Sequence, residues 1–128
     1  MLAFVVDDDA DARGVVSNQL HALGYKVVQF IDGEDILVVA QAVRPSLVVT
    51  DVFMPRGDGI EVLGAIKKLH PSCPVIAVAS TQEPLTEAFL GILGQLGADA
   101  TLIKPFGLSV LRETIRKTGT VEQLPGFQ

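Results

Sequence analysis

The sequence predicts an α/β fold, a parallel sheet with helices on both faces. Strand-like and helix-like segments alternate from one end of the 128 residues to the other, as in a series of βα units. Short apolar runs rich in β-branched residues, such as Leu47–Thr50, are typical of strands buried on both faces. The segments between them carry apolar residues at helical spacing, and no linker, repeat or low-complexity stretch interrupts the series.

Composition favours one domain with an apolar core. The length fits a single domain, and hydrophobic residues make up 48% of the chain, with a mean hydropathy of +0.42. No apolar run approaches the ~20 residues that a membrane-spanning helix needs. We therefore expect the apolar residues to be buried inside the domain, and we expect no membrane association.

Charge and cysteine content indicate which binding partners and which cell compartment to expect. A net charge of −5 and a sequence pI near 4.8 disfavour direct binding to nucleic acid, which needs clustered lysine and arginine. Cys73 is the only cysteine, so an internal disulfide is impossible and a reducing compartment is expected. The amino-terminal residues lack the pattern of a signal peptide. Together these features predict a cytoplasmic protein.

The first half of the chain predicts three strands, with a helix after each of the first two. The strands are Leu2–Val6, Tyr25–Phe30 and Leu47–Asp51. Asp9 is suited to cap the first helix. Gly24 is suited to the left-handed conformation that often follows a helix end. Asp32 opens the second helix, and Arg44-Pro45 ends it because the residue before proline avoids the α region.

The second half predicts two more strands and three more helices. The strands are Pro74–Ala79 and Ala100–Ile103. The third helix ends at His70-Pro71, Pro84 suits the first turn of the fourth, and the last helix runs to about Lys117. The buried stripe of the fourth helix is predicted to be Leu85, Phe89, Ile92 and Leu96. We expect residues 1–118 to form the domain and residues 119–128 a short tail.

Carboxylates stand at the ends of two predicted strands. The first strand runs into Asp7-Asp8-Asp9, and the third ends at Asp51. The carboxyl ends of parallel strands meet at one edge of the sheet, where open α/β folds bind ligands. The sequence therefore predicts an acidic pocket at that edge. Each aspartate is also a common turn or cap residue, and that is our reading of Asp9.

Three motifs in order along the chain resemble the receiver domain of two-component response regulators. They are Val5-Val6-Asp7-Asp8-Asp9, Asp51-Val52-Phe53-Met54-Pro55 with Asp58-Gly59, and Lys104-Pro105-Phe106. The resemblance extends from Leu2 to about Lys117. It implies a flavodoxin-like (βα)5 three-layer sandwich whose parallel sheet has the strand order 2-1-3-4-5.

The resemblance also implies a site and a role. Asp51 matches the phospho-acceptor, and Asp7 and Asp8 match the acids that hold Mg²⁺ together with Asp51. Phe53 falls where the family offers a backbone carbonyl to the metal. Lys104 matches the lysine that contacts the phosphoryl group, and the peptide bond after it is usually cis. The phosphoryl donor would be a sensor histidine kinase or a histidine phosphotransfer protein, and an unidentified output protein would receive the signal.

The residue types suit that chemistry. Phosphoryl transfer depends on positioning and on neutralising negative charge. Mg²⁺ prefers hard oxygen ligands, and lysine supplies a compact cation for a phosphate oxygen. Two carboxylates ~4 Å apart repel by about 4 kcal/mol at an effective dielectric near 20. Replacing Asp51 by Asn is therefore predicted to stabilise the metal-free protein.

The sequence departs from the family at the positions that relay the signal. The fourth strand of the family ends in Thr or Ser, but the ungapped position here is Ala79, followed by Ser80 and Thr81. We take Ser80 as the switch hydroxyl. The aromatic residue three positions before the lysine is replaced by Thr101. Phosphorylation is predicted, whereas the usual relay is not.

Two other functions remain open at this stage. One is a pseudo-receiver that is never phosphorylated and works only as a protein-binding module, a reading that Ala79 and Thr101 favour. The other is a phosphatase of the haloacid-dehalogenase type, which usually has a second aspartate two residues after its nucleophile. Phe53 stands there instead. The leading prediction is a switch with self-dephosphorylation at most, and no metabolic enzyme.

Overall fold

Five strands alternate with five helices in the computed structural model, which describes residues 1–54, 59–80 and 86–120. The strands are β1 (Leu2–Val6), β2 (Lys26–Phe30), β3 (Leu47–Asp51), β4 (Val75–Ser80) and β5 (Ala100–Lys104). The helices are α1 (Ala10–Ala22), α2 (Gly33–Ala42), α3 (Gly59–Leu69), α4 (Thr86–Gln95) and α5 (Leu108–Ile115). A π-helical turn, Arg116–Thr120, follows α5.

All strand pairs are parallel, and the order is β2-β1-β3-β4-β5. The predicted flavodoxin-like fold and its strand order are thus confirmed. The central strand β3 is buried along its whole length, as its unbroken apolar run predicted. At the carboxyl ends, Asp51 pairs with Val78, and Ser80 pairs with Lys104.

The two faces of the sheet carry separate cores. On one face the strands pack against α2, α3 and α4, through buried residues that include Ile36, Ile66 and Leu93. On the other face α1 and α5 cover the sheet, through Leu20 and Ile115 among others. Successive residues of a strand point to opposite faces, so a shift of one position moves a side chain from one core to the other.

The predicted helix ends are mostly confirmed. Asp9 caps α1 by accepting a hydrogen bond from the backbone N–H of Asp11 at 3.0 Å. Asp32 caps α2 in the same way through the N–H of Asp35. Gly24 has a φ of +95°, the left-handed conformation expected after a helix end.

The predicted buried face of α4 is wrong. Ile92 and Leu96 are 49% and 55% exposed, whereas Leu90 and Leu93 are buried against the sheet. Apolar residues surround most of this helix, so their spacing alone does not select the face that turns inward. Phe89 is half-buried and packs against the edge of that core. Pro84 and Leu85, the other predicted residues here, lie outside the described residues.

The last helix ends close to the predicted position. The α-helix stops at Ile115, and the π-helical turn Arg116–Thr120 is interrupted at Gly119, whose φ of +90° is not helical. The predicted helix end at about Lys117 lies just before this glycine, and the division between domain and tail stays a prediction. The rest of the predicted tail, residues 121–128, lies outside the described residues. Within the described ranges, no helix has the length and apolar character needed to cross a bilayer.

Candidate functional site

The carboxyl ends of β1, β3 and β5 bring the predicted charged residues together. Asp7 directly follows β1, Asp51 is the last residue of β3, and Lys104 is the last residue of β5. One carboxylate oxygen each from Asp7, Asp8 and Asp51 can be chosen so that all three lie within 4.8 Å of one another. The acidic pocket predicted at this edge of the sheet is therefore present.

Lys104 lies between the two buried carboxylates. Its Nζ is 3.0 Å from Oδ2 of Asp7, to which it donates a hydrogen bond, and 3.3 Å from Oδ1 of Asp51. The side chains of Asp7 and Asp51 are only 6% and 9% exposed, so water screens their charges weakly. Lys104 thus neutralises part of the acidic cluster, a contact that the sequence analysis did not anticipate.

Burial and crowding change the titration of the site. Burial, followed by the charge of Asp7, raises the pKa of Asp51 to about 6, although Lys104 acts in the opposite direction. Burial on its own would lower the pKa of Lys104. Its hydrogen bond to Asp7 and the charge of Asp51 outweigh that effect, so the pKa of Lys104 is raised. Lys104 is therefore charged, and Asp51 is mostly ionised at pH 7.

The charged residues line an open cavity of about 310 Å³. Phe53, Ser80 and Ala12 form the rest of its wall together with Asp9. Asp8 is exposed, so the cluster is reachable from solvent. The peptide bond between Lys104 and Pro105 is cis, as the resemblance implied.

The end of β4 places Ser80 and Ala79 differently. Ala79 is fully buried in the core beneath α2, α3 and α4. Ser80 is half-buried and borders the cavity together with Lys104, its partner on β5. Ser80 is thus near the charged groups, and its role as a switch hydroxyl stays a prediction. Thr101 is exposed, and Thr81 lies outside the described residues.

Gly59 brings the start of α3 against the end of β3. Its N–H donates to the carbonyl of Val52 at 3.1 Å, and a Cβ at this position would lie 2.9 Å from the Cα of Val52. Glycine is therefore required for this close approach beside Asp51. Pro55 and Asp58, which belong to the same motif as Gly59, lie outside the described residues.

Arg13, which the sequence did not single out, binds the backbone of Asp7 at the acidic cluster. Its Nη1 donates to the backbone carbonyl of Asp7 at 2.9 Å, and its Nε donates to Oε1 of Gln29 on β2 at 3.1 Å. A guanidinium provides several donors in a fixed plane, which lets it join two elements. An arginine one turn after a helix cap gives no signal of this role in the sequence.

A second cavity, of about 290 Å³, adjoins the first. It lies between α1 and the β5–α5 connection and shares Ala12, Ser80 and Lys104 with the acidic cavity. The rest of its wall is largely apolar and is formed by Val15, Val16, Gln19, Pro105 and Phe106. The charged site is thus continuous with a largely apolar surface groove.

The carboxylates fit a magnesium ion. Mg²⁺ is usually held by one or two carboxylates and phosphate oxygens, and it keeps several waters. The cluster offers three carboxylate oxygens from Asp7, Asp8 and Asp51 on one solvent-accessible side. Phe53 lines the same cavity, and the contribution of its backbone carbonyl to the metal stays a prediction. The donor set is therefore that of a hard divalent cation.

Comparison with known families gives a match over nearly the whole chain. Residues 3–116 match the model of the response regulator receiver domain. Among curated proteins, the probable transcriptional regulator ycf27 of Cyanophora paradoxa is 36% identical over 112 residues, which are 88% of this chain and 45% of that protein. The chain thus spans about half the length of the curated relatives it matches.

Solved structures agree with this match. The chemotaxis response regulator CheY4 of Vibrio cholerae is 28% identical, with a TM-score of 0.77, and the match covers 91% of this chain and 97% of that chain. The receiver domain of NtrX from Brucella abortus is 26% identical, with a TM-score of 0.82, and the match covers 91% of this chain and 96% of that one. The expectation that the chain avoids nucleic acid finds no support in these relatives, since ycf27 is named a transcriptional regulator.

Proposed function

The chain belongs to the receiver-domain family of response regulators, and we propose that it accepts a phosphoryl group on Asp51 in a Mg²⁺-dependent reaction. The observation that carries this proposal is the position of Lys104, with its Nζ 3.0 Å from Asp7 and 3.3 Å from Asp51. A lysine held between two buried carboxylates is ready to contact an anionic group that arrives on Asp51. A turn-forming aspartate would require neither Asp7 nor Lys104.

Asp51 is the nucleophile in this proposal. With a pKa of about 6, it is roughly nine-tenths ionised at pH 7. One of its oxygens attacks the phosphorus of a phosphohistidine, the new O–P bond forms, and the P–N bond to the imidazole breaks. The imidazole nitrogen keeps the electron pair and takes a proton from water. Lys104 leaves its hydrogen bond to Asp7 and contacts an oxygen of the transferred group.

Asp7, Asp8 and Asp51 are the residues that would hold Mg²⁺, with the backbone carbonyl of Phe53 as a further ligand. When bound, the ion supplies positive charge that offsets the repulsion between the carboxylates and the phosphoryl oxygens. Arg13 holds the backbone of Asp7 in place. Ser80, at the rim of the cavity, is the proposed hydroxyl that contacts the phosphoryl group.

The proposed donor is a sensor histidine kinase or a histidine phosphotransfer protein. The groove between α1 and the β5–α5 connection supports this, since a protein that docks there would bring a histidine to Asp51. The receiver unit would comprise residues 1–118 and act in the cytoplasm, as is typical of the family. It would signal through a further output protein, and slow self-dephosphorylation would end the signal.

A binding module that is not phosphorylated is the second candidate. It is favoured by Ala79, which is fully buried and has no hydroxyl, and by Thr101 in place of an aromatic residue. The two candidates differ in one respect that is measurable. Only a phospho-acceptor should respond to an analogue of the phosphoryl group at Asp51.

Beryllofluoride, which mimics a phosphoryl group on a carboxylate, separates the two. We expect its addition with Mg²⁺ to shift the amide resonances of Asp51, Ser80 and Lys104 in ¹H–¹⁵N spectra. The Asp51→Asn variant should show no such response, since it lacks the carboxylate oxygen that binds beryllium. A parent protein whose spectrum does not change with saturating beryllofluoride and Mg²⁺ would instead be a binding module.

A further inference from the structure

Gln19 makes a contact between α1 and the connection that follows Lys104. Its Nε2 donates a hydrogen bond to the backbone carbonyl of Phe106 at 2.8 Å, across 87 positions of sequence. Phe106 stands two residues after Lys104. We propose that Gln19 is a positioning residue, which holds the β5–α5 connection so that Lys104 can contact the phosphoryl group. This inference rests on the proposed function.

The helix that carries Gln19 is firmly placed. Val16 and Leu20, on the same side of α1, are 5% and 0% exposed and belong to the core between α1, α5 and the sheet. A hydrogen bond from such a helix fixes the backbone that it reaches. Arg13, on the same helix, holds the carbonyl of Asp7. Helix α1 thus contacts the backbone of Asp7 itself and the backbone two residues after Lys104.

Stability alone does not account for a glutamine here. Its Oε1 is buried, and no hydrogen-bond partner for it is found among the residues that the structure describes. An unpaired buried oxygen opposes folding, and this cost offsets part of the stability that the hydrogen bond from Nε2 supplies. Residues that break such a rule are expected at functional sites. The Nε2 donor is the part of the side chain that has a partner.

The geometry predicts that the loss of this hydrogen bond affects two ligands differently. Without the hydrogen bond, the backbone after Lys104 is less restrained, and Lys104 presents its ammonium less well to a phosphoryl group. Binding of beryllofluoride should therefore weaken about three- to tenfold, the range expected for the loss of one hydrogen bond. Mg²⁺ binding should stay equal or become slightly tighter, because Lys104 then competes less for the oxygens of Asp7 and Asp51.

The test compares Gln19→Met with Asn18→Met, a matched change at the exposed neighbouring position of the same helix. Mg²⁺ affinity is measured by calorimetry, beryllofluoride affinity by fluorine NMR at saturating Mg²⁺, and folding by thermal melting. We expect only Gln19→Met to lose beryllofluoride affinity, with Mg²⁺ affinity retained. If Gln19→Met does not fold, Gln19→Leu replaces it and should give the same result.

Three results would overturn the inference. If Gln19→Met binds both Mg²⁺ and beryllofluoride with the affinities of the parent, the hydrogen bond to Phe106 positions nothing. A parallel loss of both affinities together with a lower melting temperature would show a structural role only. A parent protein that does not bind beryllofluoride would overturn the proposed function as well, whereas a parent that binds it normally confines the failure to Gln19.

Discussion

The carboxyl edge of the sheet has two unequal halves. In the acceptor half, at the ends of β1, β3 and β5, Asp7, Asp51 and Lys104 contact one another with little exposure to water. In the relay half, Ala79 and Ser80 at the end of β4 and Thr101 on β5 are small, and Ala79 points into the core. The acceptor half is set by charge, which fixes residue types closely. The relay half instead holds small uncharged residues that differ from one another in burial.

Removing the positive charge of Lys104 should have the largest effect on the stability of the acceptor half. In Lys104→Met, Asp7 and Asp51 face each other without their counter-charge. We expect the free energy of unfolding at pH 7 in EDTA to fall by ~2–4 kcal/mol, as for other buried pairs that lose one partner. Urea unfolding measures this change. Lys68→Met, at an exposed position of α3, is the control and should stay within ~0.5 kcal/mol of the parent.

Magnesium should offset the loss of stability in Lys104→Met. Saturating Mg²⁺ should recover most of the stability that Lys104→Met loses, because it supplies positive charge to the same carboxylates. A variant that is as stable as the parent in EDTA would show that Lys104 does not neutralise the cluster.

Removing the Asp51 carboxylate should have the opposite effect and stabilise the metal-free protein. Asp51 has a pKa of about 6 in the folded protein against an ordinary value of 3.8, so the folded state binds its proton more tightly than the unfolded state does. Stability from this group is therefore present below pH ~4 and is lost as the pH rises to ~6. We expect Asp51→Asn to gain at most ~3 kcal/mol at pH 7 in EDTA.

The pH dependence provides the check. Thermal melting of the parent and of Asp51→Asn in EDTA should show a difference at pH 7 that shrinks toward zero near pH 4. A variant that melts below the parent at pH 7 would contradict the crowded acidic site.

A glycine beside the acceptor half should tolerate no side chain. In Gly59→Ala, the new Cβ would lie 2.9 Å from the Cα of Val52, so the backbone next to Asp51 must move. We expect a loss of ~1–3 kcal/mol in urea unfolding, as for other overpacked sites. Gly64→Ala on the same helix has open space for its Cβ and should gain ~0.5–1 kcal/mol. Equal effects at the two positions would contradict the close approach.

The relay half should respond least. Ser80→Ala removes a hydroxyl at the rim of the cavity, and we expect beryllofluoride affinity to fall by the equivalent of ~0.5–1.5 kcal/mol, with the fold unchanged. Adding the family hydroxyl by Ala79→Thr should not compensate, because that side chain is enclosed in the core. Fluorine NMR measures both. Full affinity in Ser80→Ala would remove Ser80 from the proposed site.

The residues that sequence could predict are those whose position follows from strand ends. Asp7, Asp51 and Lys104 each end or follow an apolar run, and parallel pairing alone brings such residues to one edge. Gln19 and Arg13 could not be predicted, because their contacts depend on side-chain reach between segments far apart in sequence.

The buried face of α4 could not be predicted for a different reason. Leu90 and Leu93 are buried while Ile92 and Leu96 are exposed, although all four are equally apolar in the sequence. Periodicity selects a face only when the opposite face is polar. The end of β4 shows the same limit, since a shift of one residue decides whether Ala79 or Ser80 borders the cavity.

Intact-protein mass spectrometry shows whether a phosphoryl group is transferred to Asp51. After incubation with acetyl phosphate and Mg²⁺, the parent should gain the mass of one phosphoryl group. Asp51→Asn, and the parent in EDTA, should gain none. A folded parent that stays unmodified, or an Asp51→Asn variant modified to the same extent as the parent, would contradict the account.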